Sequence, residues 1–413
     1  MPWKETGPME ERMKFMLMYQ SESWSMTELC EIFGVSRKTG YKWLKRYEQA
    51  GMEGLGELSR APQEHPNAVA PEIEAAIVEL KQQRPKRGPK KLLRILQRQR
   101  PEVGWPVRST IGAILKRHGL VRSRRRCRKT PPYEQPFAGY DHPNAVWSAD
   151  LKGWFMTGDG QRCDPLTVTD NYSRYLIRCQ AVQPASFEAI QPVFVGAFDE
   201  YGLPEAIRTD NGSPFASTTL GGLSRLSIWW IKLGIIPERI TPGKPQQNGR
   251  HERMHRTLKD EAISPAQSTW RRQQIAFDRF RQEFNHQRPH ESLNQRFPAE
   301  VYSPSPRPYP LVLPEMIYPD DMQVRWVKAQ GDISWKAHHV YLTRTLAGEL
   351  VGLRQVAQDR WDIYFGPLRL AQLDTARKRL IHLSRTKKDK TLIRRQKREG
   401  IVKQCYLCAR SNL

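Results

Sequence analysis

The sequence predicts a multidomain α and α/β protein with helical N-terminal domains, an α/β core and a small C-terminal β-barrel. Three observations carry this prediction. Two basic, helix-forming blocks fill the N-terminal part of the chain, and a glycine-bearing turn divides the first of them. Strand-like and helix-like stretches alternate over residues 140–305, which is typical of α/β layers. A strand-rich stretch over residues 320–375 carries glycines at its turns, which favours a small barrel.

Residues 10–60 form the first predicted domain. Met26–Phe33 has apolar residues at helical spacing, Gly34 opens a tight turn, and Arg37–Tyr47 reads as a basic helix. A helix, a glycine-bearing turn and a second, basic helix form the helix-turn-helix pattern. An ordinary helical hairpin with a solvated basic face is the alternative, and a net charge of +24 favours DNA binding over it. The recognition helix would offer the DNA major groove Ser36, which also caps it, together with Arg37, Lys38, Tyr41 and Lys42.

Residues 71–122 predict a second helical DNA-binding domain. Pro71 begins a helix with an apolar face, Gly88-Pro89 interrupts the chain, and a last basic helix ends at Gly119. A basic linker over residues 123–139 follows, which is either simply solvated or lies along DNA phosphates.

The predicted core, residues 140–305, contains strands at Ala145–Met156, Leu166–Asp170, Tyr175–Val182 and Ala206–Thr209. Helices are expected at Phe187–Tyr201 and Thr218–Leu233. Beyond the barrel, residues 376–413 form a basic tail, a composition typical of disordered segments that contact nucleic acid.

Three acidic residues of the core have distinctive surroundings. Asp150 closes the strand-like run Val146–Asp150, and Asp210 ends a short strand before Asn-Gly, where open α/β sheets place their sites. Glu252 falls in the first turn of a helix that begins near Gly249, where a carboxylate suits the helix dipole. Carboxylates brought together repel one another, and their hard oxygens select Mg²⁺ or Mn²⁺ as the compensating cation. Two such ions, about 3.5–4 Å apart, would serve the attacking and leaving oxygens of a phosphodiester.

The helix that carries Glu252 also carries predicted DNA contacts. Arg256 and Lys259 follow Glu252 at helical spacing on one face, with His255 at its border. Gln247 and Asn248 precede the helix and can hydrogen-bond DNA. Asp170, in contrast, is interpreted as a structural acid that closes a hairpin and pairs with Arg174.

At these motifs the core resembles the insertion-sequence transposases of the retroviral-integrase superfamily. The resemblance rests on W-S-A-D-L-K-G, T-D-N-Y-S-R, R-T-D-N-G-S-P-F and P-G-K-P-Q-Q-N-G-R-H-E-R-M-H-R-T-L-K. It implies a ribonuclease H-like fold, a catalytic and metal-binding triad of Asp150, Asp210 and Glu252, and DNA contact at Lys259. Helix-turn-helix domains before the core and a β-domain after it are usual in such proteins.

The chain departs from the retroviral pattern at two points. It has no N-terminal His/His/Cys/Cys cluster, so we expect no zinc domain there. Glu252 follows Asp210 by 42 positions, which is longer than is common, and the extra residues are expected around Gly221–Trp230.

Charge and cysteine content define the expected partners and location. A pI near 9.9 indicates a polyanionic partner, nucleic acid before an anionic membrane surface. We expect double-stranded DNA, both the element's terminal inverted repeats and the target, bound by a homodimer or higher oligomer. The six cysteines form no disulfide pattern, which favours a reducing cytoplasm. We expect association with the bacterial nucleoid and not with a membrane. Cys405 and Cys408 alone have a metal-like spacing, a weak indication of zinc.

Two other functions are compatible with parts of this pattern. A DNA-binding regulator with a retired catalytic core would keep the N-terminal domains, but the intact acidic triad disfavours it. A structure-directed nuclease would use the same fold, but two DNA-recognition domains favour an enzyme with a defined target end. Inverted repeats that flank the coding sequence would distinguish a transposase from both.

Overall fold

The computed structural model describes residues 7–57, 68–121, 141–217, 219–240, 249–336, 338–377 and 379–382. The chain divides into two units, Met1–Ala70 and Pro71–Leu413. The predicted basic linker, Gln247, Asn248 and nearly all of the basic tail lie outside the described residues. Within the described part, no helix has the length and apolar composition that crossing a membrane requires.

The first unit contains three helices, α1 (Pro8–Gln20), α2 (Met26–Ile32) and α3 (Arg37–Ala50), and a 3-10 turn at Gly51–Leu55. The predicted helix-turn-helix pair is therefore present as α2 and α3. Helix α1 was not predicted, because its apolar residues run consecutively instead of at helical spacing. The predicted apolar face of α2 is wrong at Ile32, whose side chain is 52% exposed. The core consists of Phe15, Met16, Met26, Leu29, Cys30, Trp43 and Leu55.

Two local features fix the pairing of α2 with α3. Ser25 and Glu28 form a reciprocal capping box at the start of α2, and Ser36 caps α3 by accepting from the Thr39 amide. Gly40 lies at the helix crossing, where a Cβ atom would be 2.8 Å from Cys30 Sγ. Any larger residue at Gly40 would push the two helices apart.

The second unit begins with three helices, α4 (Pro71–Gln83), α5 (Pro89–Gln99) and α6 (Arg108–Arg117). Their mutual core consists of Ile77, Leu80, Leu92, Ile95, Leu96, Ile111, Ile114 and Leu115.

A mixed sheet forms the centre of the second unit. Its strands are β1 (Val146–Leu151), β2 (Phe155–Met156), β3 (Arg162–Asp170), β4 (Leu176–Val182), β5 (Ala206–Thr209) and β6 (Ile236–Arg239). β1, β3 and β4 pair antiparallel, with β2 extending the end of β3, whereas β5 and β6 continue beyond β1 in parallel. β6 was not among the predicted strands.

Four helices of the second unit pack against the two faces of this sheet. Helices α7 (Phe187–Tyr201) and α8 (Arg225–Lys232) cover one face, and α9 (Gly249–Leu258) and α10 (Trp270–His286) cover the other. Because side chains alternate along a strand, Trp147 and Ala149 enter the α7–α8 core, so Ser148 and Asp150 face α9. This layered α/β arrangement is the one expected of a ribonuclease H-like core.

Basic side chains on α5 and on the turn between α4 and α5 contact the core and hold the three helices against it. Arg84 pairs with Glu283 on α10, buried Arg87 donates to the Gln287 carbonyl at 2.6 Å, and Arg98 donates to the His286 carbonyl at 2.7 Å. These side chains, whose pattern predicted DNA contact, therefore form an intramolecular interface.

The segment with extra length, predicted as one helix over 218–233, is a 3-10 turn at Leu220–Gly222 followed by α8. Gly221 and Gly222 both have positive φ, which ends regular helix there. The side chains of Leu220, Leu223, Ile228 and Ile231 pack against the C-terminal strands. The extra length therefore joins the core to the C-terminal domain.

The C-terminal domain contains β7 (Gln323–Trp326), β8 (Asp332–Trp335), β9 (His338–Tyr341), β10 (Leu350–Ala357), β11 (Arg360–Phe365), β12 (Leu368–Asp374) and β13 (Arg379–His382). The expected closed barrel is not confirmed. The strands form an antiparallel sheet in the order β13-β12-β11-β10-β7 and a separate β8-β9 hairpin, and no ladder among the described residues joins β7 to β13. The apolar face of this sheet is covered by the Leu220–Ile231 segment and by the β8–β9 hairpin, so it is buried although the sheet does not close into a barrel.

Charge reversal at Arg84 should loosen α4–α6 from the core. We expect R84E to accelerate amide hydrogen exchange across residues 71–117, and the added change E283R to restore protection, with a coupling of about 1 kcal/mol. Exchange measured by mass spectrometry tests this, with exposed Arg108 changed to Glu as the matched control. Equal exchange in R84E and in the double variant would show that the pair does not hold the interface.

Candidate active site

Asp150 and Asp210 lie at the same edge of two neighbouring parallel strands. β1 pairs with β5 through Val146–Ala206, Trp147–Ile207 and Ser148–Arg208. Asp150 and Asp210 each follow the last matched pair by two residues, and the carboxyl ends of parallel strands lie at the same edge of a sheet. Both residues are only partly buried, and Asp210 Oδ1 also accepts from the Gly212 amide at 3.1 Å. Two of the three predicted acids are therefore carried at the carboxyl ends of neighbouring parallel strands.

Two buried histidines fix α9 over this edge. His251 Nε2 and His255 Nε2 lie 2.6 Å and 2.7 Å from Thr167 Oγ1, on the strand residue opposite Asp150. His251 Nδ1 also lies 3.3 Å from Thr169 Oγ1. Because one hydroxyl donates a single proton, at least one of the two imidazoles must donate its N–H to Thr167.

Both imidazoles are neutral near pH 7. Burial lowers the pKa of His251 to about 3. Burial, with added repulsion from His251 and Lys152, lowers the pKa of His255 to about 2. The contact of His255 Nδ1 with Asp150 Oδ2, at 3.9 Å, is therefore not an ion pair.

Asp150, His251 and His255 also form a possible metal-ligand group, with ligand atoms within 4.8 Å of one another. Two imidazoles and one carboxylate suit transition metals better than Mg²⁺. The Nε2 atoms of both rings, however, already contact Thr167. The oxygen donors Asp150 and Asp210 fit Mg²⁺ or Mn²⁺, because hard cations prefer carboxylates.

The buried role of His251 was not predicted, and the expected DNA contact at His255 does not match its position. Sequence spacing placed His255 at the border of an outward face, but its side chain is only 6% exposed. A signal was present, since two histidines four residues apart share one side of a helix. The basic residues of the helix, in contrast, indicate only which side is exposed.

The other predicted residues of α9 lie on its exposed side. Glu252, Arg256 and Lys259 are exposed, whereas Met254 and Leu258 enter the core beneath. Glu252 occupies the first turn of α9. Helix α9 therefore carries an exposed carboxylate and the exposed cation of Arg256, and Lys259 opens the π-helical turn Lys259–Ile263 that follows.

Asp170 stabilises the turn that follows β3. It is fully buried and accepts from the Asn144 amide at 2.9 Å and from the Ser173 amide and hydroxyl at 2.8 and 2.5 Å. Burial raises the pKa of this carboxyl, although these hydrogen bonds and Arg174 act in the opposite direction. These contacts are those of a structural acid, but the expected pairing with Arg174 is not found, since the Arg174 side chain donates to the Asn171 carbonyl instead.

On the first unit, the predicted major-groove residues occupy the start of α3. Arg37, Lys38, Tyr41 and Lys42 are exposed, and the Tyr41 side chain is 57% accessible. Ser36 is exposed too, but its hydroxyl is used as the helix cap. Trp43, which follows them on α3, is buried, and the guanidinium groups of Arg12 and Arg46 lie over its ring.

Five family models match the chain. Two describe an integrase core domain, over residues 141–245 and 233–298, and two describe a homeodomain-like domain, over residues 8–56 and 39–115. A fifth, the C-terminal domain of IS481 family transposases, matches residues 322–380.

Two insertion-element proteins are similar over much of their length. An uncharacterized 31.7 kDa protein of IS407 from Burkholderia multivorans is 29% identical, covering 58% of this chain and 83% of the relative. An uncharacterized 39.2 kDa protein of IS476 from Xanthomonas euvesicatoria is 28% identical, covering 60% of this chain and 70% of the relative. Among solved structures, the HTLV-2 integrase catalytic core domain in complex with magnesium is 15% identical, with a TM-score of 0.31, covering 39% of this chain and 97% of that chain.

Removing the Thr167 hydroxyl should disturb both histidines. In T167V the buried imidazole nitrogens lose their shared partner, so we expect the free energy of unfolding to fall by about 1–3 kcal/mol. The ¹⁵N chemical shifts of both rings should also change, because their protonated nitrogens are no longer fixed. T167S keeps the hydroxyl and should behave like wild type. Unchanged ring shifts in T167V would show that Thr167 does not anchor α9.

Proposed function

We propose that this chain, which belongs to the insertion-sequence transposases of the integrase superfamily, cuts and joins DNA with the carboxylates of Asp150, Asp210 and Glu252. The observation that supports the assignment is the parallel pairing of β1 with β5, because Asp150 and Asp210 each follow the last matched pair, Ser148–Arg208, by two residues. Glu252 is the acid that α9 offers, in its exposed first turn.

These carboxylates would hold Mg²⁺ or Mn²⁺, with two ions as the expected number. When bound, the cations supply Lewis-acid activation of the attacking oxygen and stabilisation of the leaving oxygen. The protein's own contribution is rigidity. Asp150 belongs to a strand paired on both sides, and the helix of Glu252 is fixed by His251 and His255.

Two phosphodiester exchanges make up the proposed reaction. Water first attacks a phosphorus atom at the element end, and the leaving oxygen becomes a free 3′-hydroxyl. This hydroxyl then attacks a phosphorus atom of target DNA, so that one bond forms as another breaks. Neither exchange needs a covalent protein–DNA intermediate, and no Ser or Tyr nucleophile is therefore assigned.

DNA is held by surfaces on both units in this proposal. Arg256 and Lys259, which are exposed like Glu252, would contact phosphates of the strand that is cut. Arg37, Lys38, Tyr41 and Lys42 would read the terminal inverted repeats from the start of α3. Because two ends must meet before transfer, we expect a dimer or higher assembly on DNA.

Neutralising any one carboxylate should abolish chemistry but spare binding. We expect D150N, D210N and E252Q to lose Mg²⁺-dependent cleavage and strand transfer on labelled DNA that carries the element end. Each should still bind that end, because the α3 surface is unchanged. D199N, an exposed acid on α7, is the matched control and should cut normally. Loss of cleavage in D170N at unchanged thermal stability would instead assign Asp170 to the site.

Shortening single side chains of the recognition helix α3 to alanine should selectively weaken binding to the element end. We expect K38A and Y41A each to cost about 1–3 kcal/mol of affinity for the element end where they contact bases. Competition binding against an unrelated duplex measures this, with K14A on α1 as the control, since Lys14 is also exposed. A uniform loss for both duplexes would indicate that these side chains contact phosphates only.

A further inference from the structure

A cavity of about 360 Å³ lies beside the N-terminal turn of α9. Three arginines line it, contributed by separate parts of the core: Arg174 follows β3, Arg250 belongs to α9, and Arg296 precedes Phe297. Asn171, Tyr172 and Asn294 add polar groups, and no acidic side chain occurs among the described residues that line the cavity. We call this site the arginine pocket.

Neutral oxygen atoms orient the guanidinium groups of Arg174 and Arg296. Arg174 and Arg250 both donate to the backbone carbonyl of Asn171, the latter at 3.3 Å. Arg174 Nε lies 3.3 Å from Ser292 Oγ, and Arg296 donates to the Glu300 carbonyl at 2.6 Å. Such acceptors fix the position of a guanidinium without cancelling its charge.

The backbone holds Arg174 in a conformation that costs energy. Its φ of +66° lies in the left-handed region, which is unfavourable for a residue other than glycine. The three hydrogen bonds to the Asp170 carboxylate stabilise the turn and offset this unfavourable backbone conformation. Burial lowers the pKa of Arg174 only to about 10, so the side chain stays charged at neutral pH.

We infer that the arginine pocket binds a phosphate group of the DNA backbone other than the one that is cut. A tetrahedral oxyanion accepts several N–H donors at once, and converging guanidinium groups supply them. Tyr172, 40% exposed, offers a ring on which the neighbouring base can stack. This inference uses the proposed function only in taking DNA as the ligand.

The position of the pocket ties it to the active site. Asn171 Nδ2 donates to Ser148 Oγ at 2.8 Å, and Ser148 is two residues before Asp150 on β1. Two residues of strand span roughly 7 Å. On α9, Arg250 precedes Glu252 by two residues in the same turn. A phosphate in the arginine pocket therefore belongs to a nucleotide close to the one that is cut.

Binding without turnover tests the pocket. The full chain, in EDTA, is titrated onto a short fluorescein-labelled duplex that carries the element end, at several salt concentrations. We expect R296Q to lower affinity about tenfold and to reduce the salt slope by about one. R271Q removes the same charge from an exposed site on α10 and should have little effect. Equal losses in R296Q and R271Q would overturn the inference.

A second series locates the phosphate. Duplexes with one neutral methylphosphonate linkage, moved along the strand, should reveal a position that weakens wild type but not R296Q. The absence of such a position would overturn the inference. R174Q should reproduce the result, provided that its thermal unfolding matches wild type.

Titration with inorganic phosphate distinguishes a DNA phosphate from a free anion as the ligand of the pocket. Stabilisation of wild type but not R296Q by phosphate, with equal DNA affinities, would make the pocket a free-anion site and overturn the assignment to DNA. Because no divalent metal is present, these results do not depend on the catalytic triad. Retained cleavage in D210N would refute the triad and leave them intact.

Discussion

The parallel ladder between β1 and β5 aligns the two strands whose carboxyl ends carry Asp150 and Asp210. In the proposed site, two carboxylates brought together would repel each other unless a cation lay between them. The ladder is held from one side by the aromatic core of α7 and α8, which packs Trp147 and Ile207 beneath it. The apolar packing therefore supports an arrangement that the charges alone would oppose.

The opposite face of the sheet is polar where α9 crosses it. Thr167 and Thr169 replace the apolar residues that a buried strand normally presents, and two neutral histidines complete their hydrogen bonds. A hydrogen-bonded contact has a narrower geometry than an apolar one, so it fixes the rotation of the helix about its own axis. That rotation determines that Glu252, Arg256 and Lys259 face outward.

Basic residues have two different uses in this chain. Some of those on and around α4 and α5 bind acidic side chains and carbonyls of the core, as Arg84, Arg87 and Arg98 do. Others, at the start of α3 and on the outer side of α9, are exposed. The arginine pocket is intermediate, with charges oriented by neutral acceptors but left for an anion. A net charge of +24 is therefore not a measure of the surface that DNA contacts.

Local sequence determined the helix-turn-helix pair, most core strands and the positions of the three acids, because caps, turns and side-chain periodicity act over a few residues. The family followed from motifs around Asp210 and Glu252. Only the tertiary structure decided that His255 is buried, that α4–α6 docks on the core, and that the C-terminal sheet is covered by the Leu220–Ile231 segment instead of closing. Each of these depends on which distant surface an element meets, and periodicity within a helix or strand shows which face is covered but not what covers it.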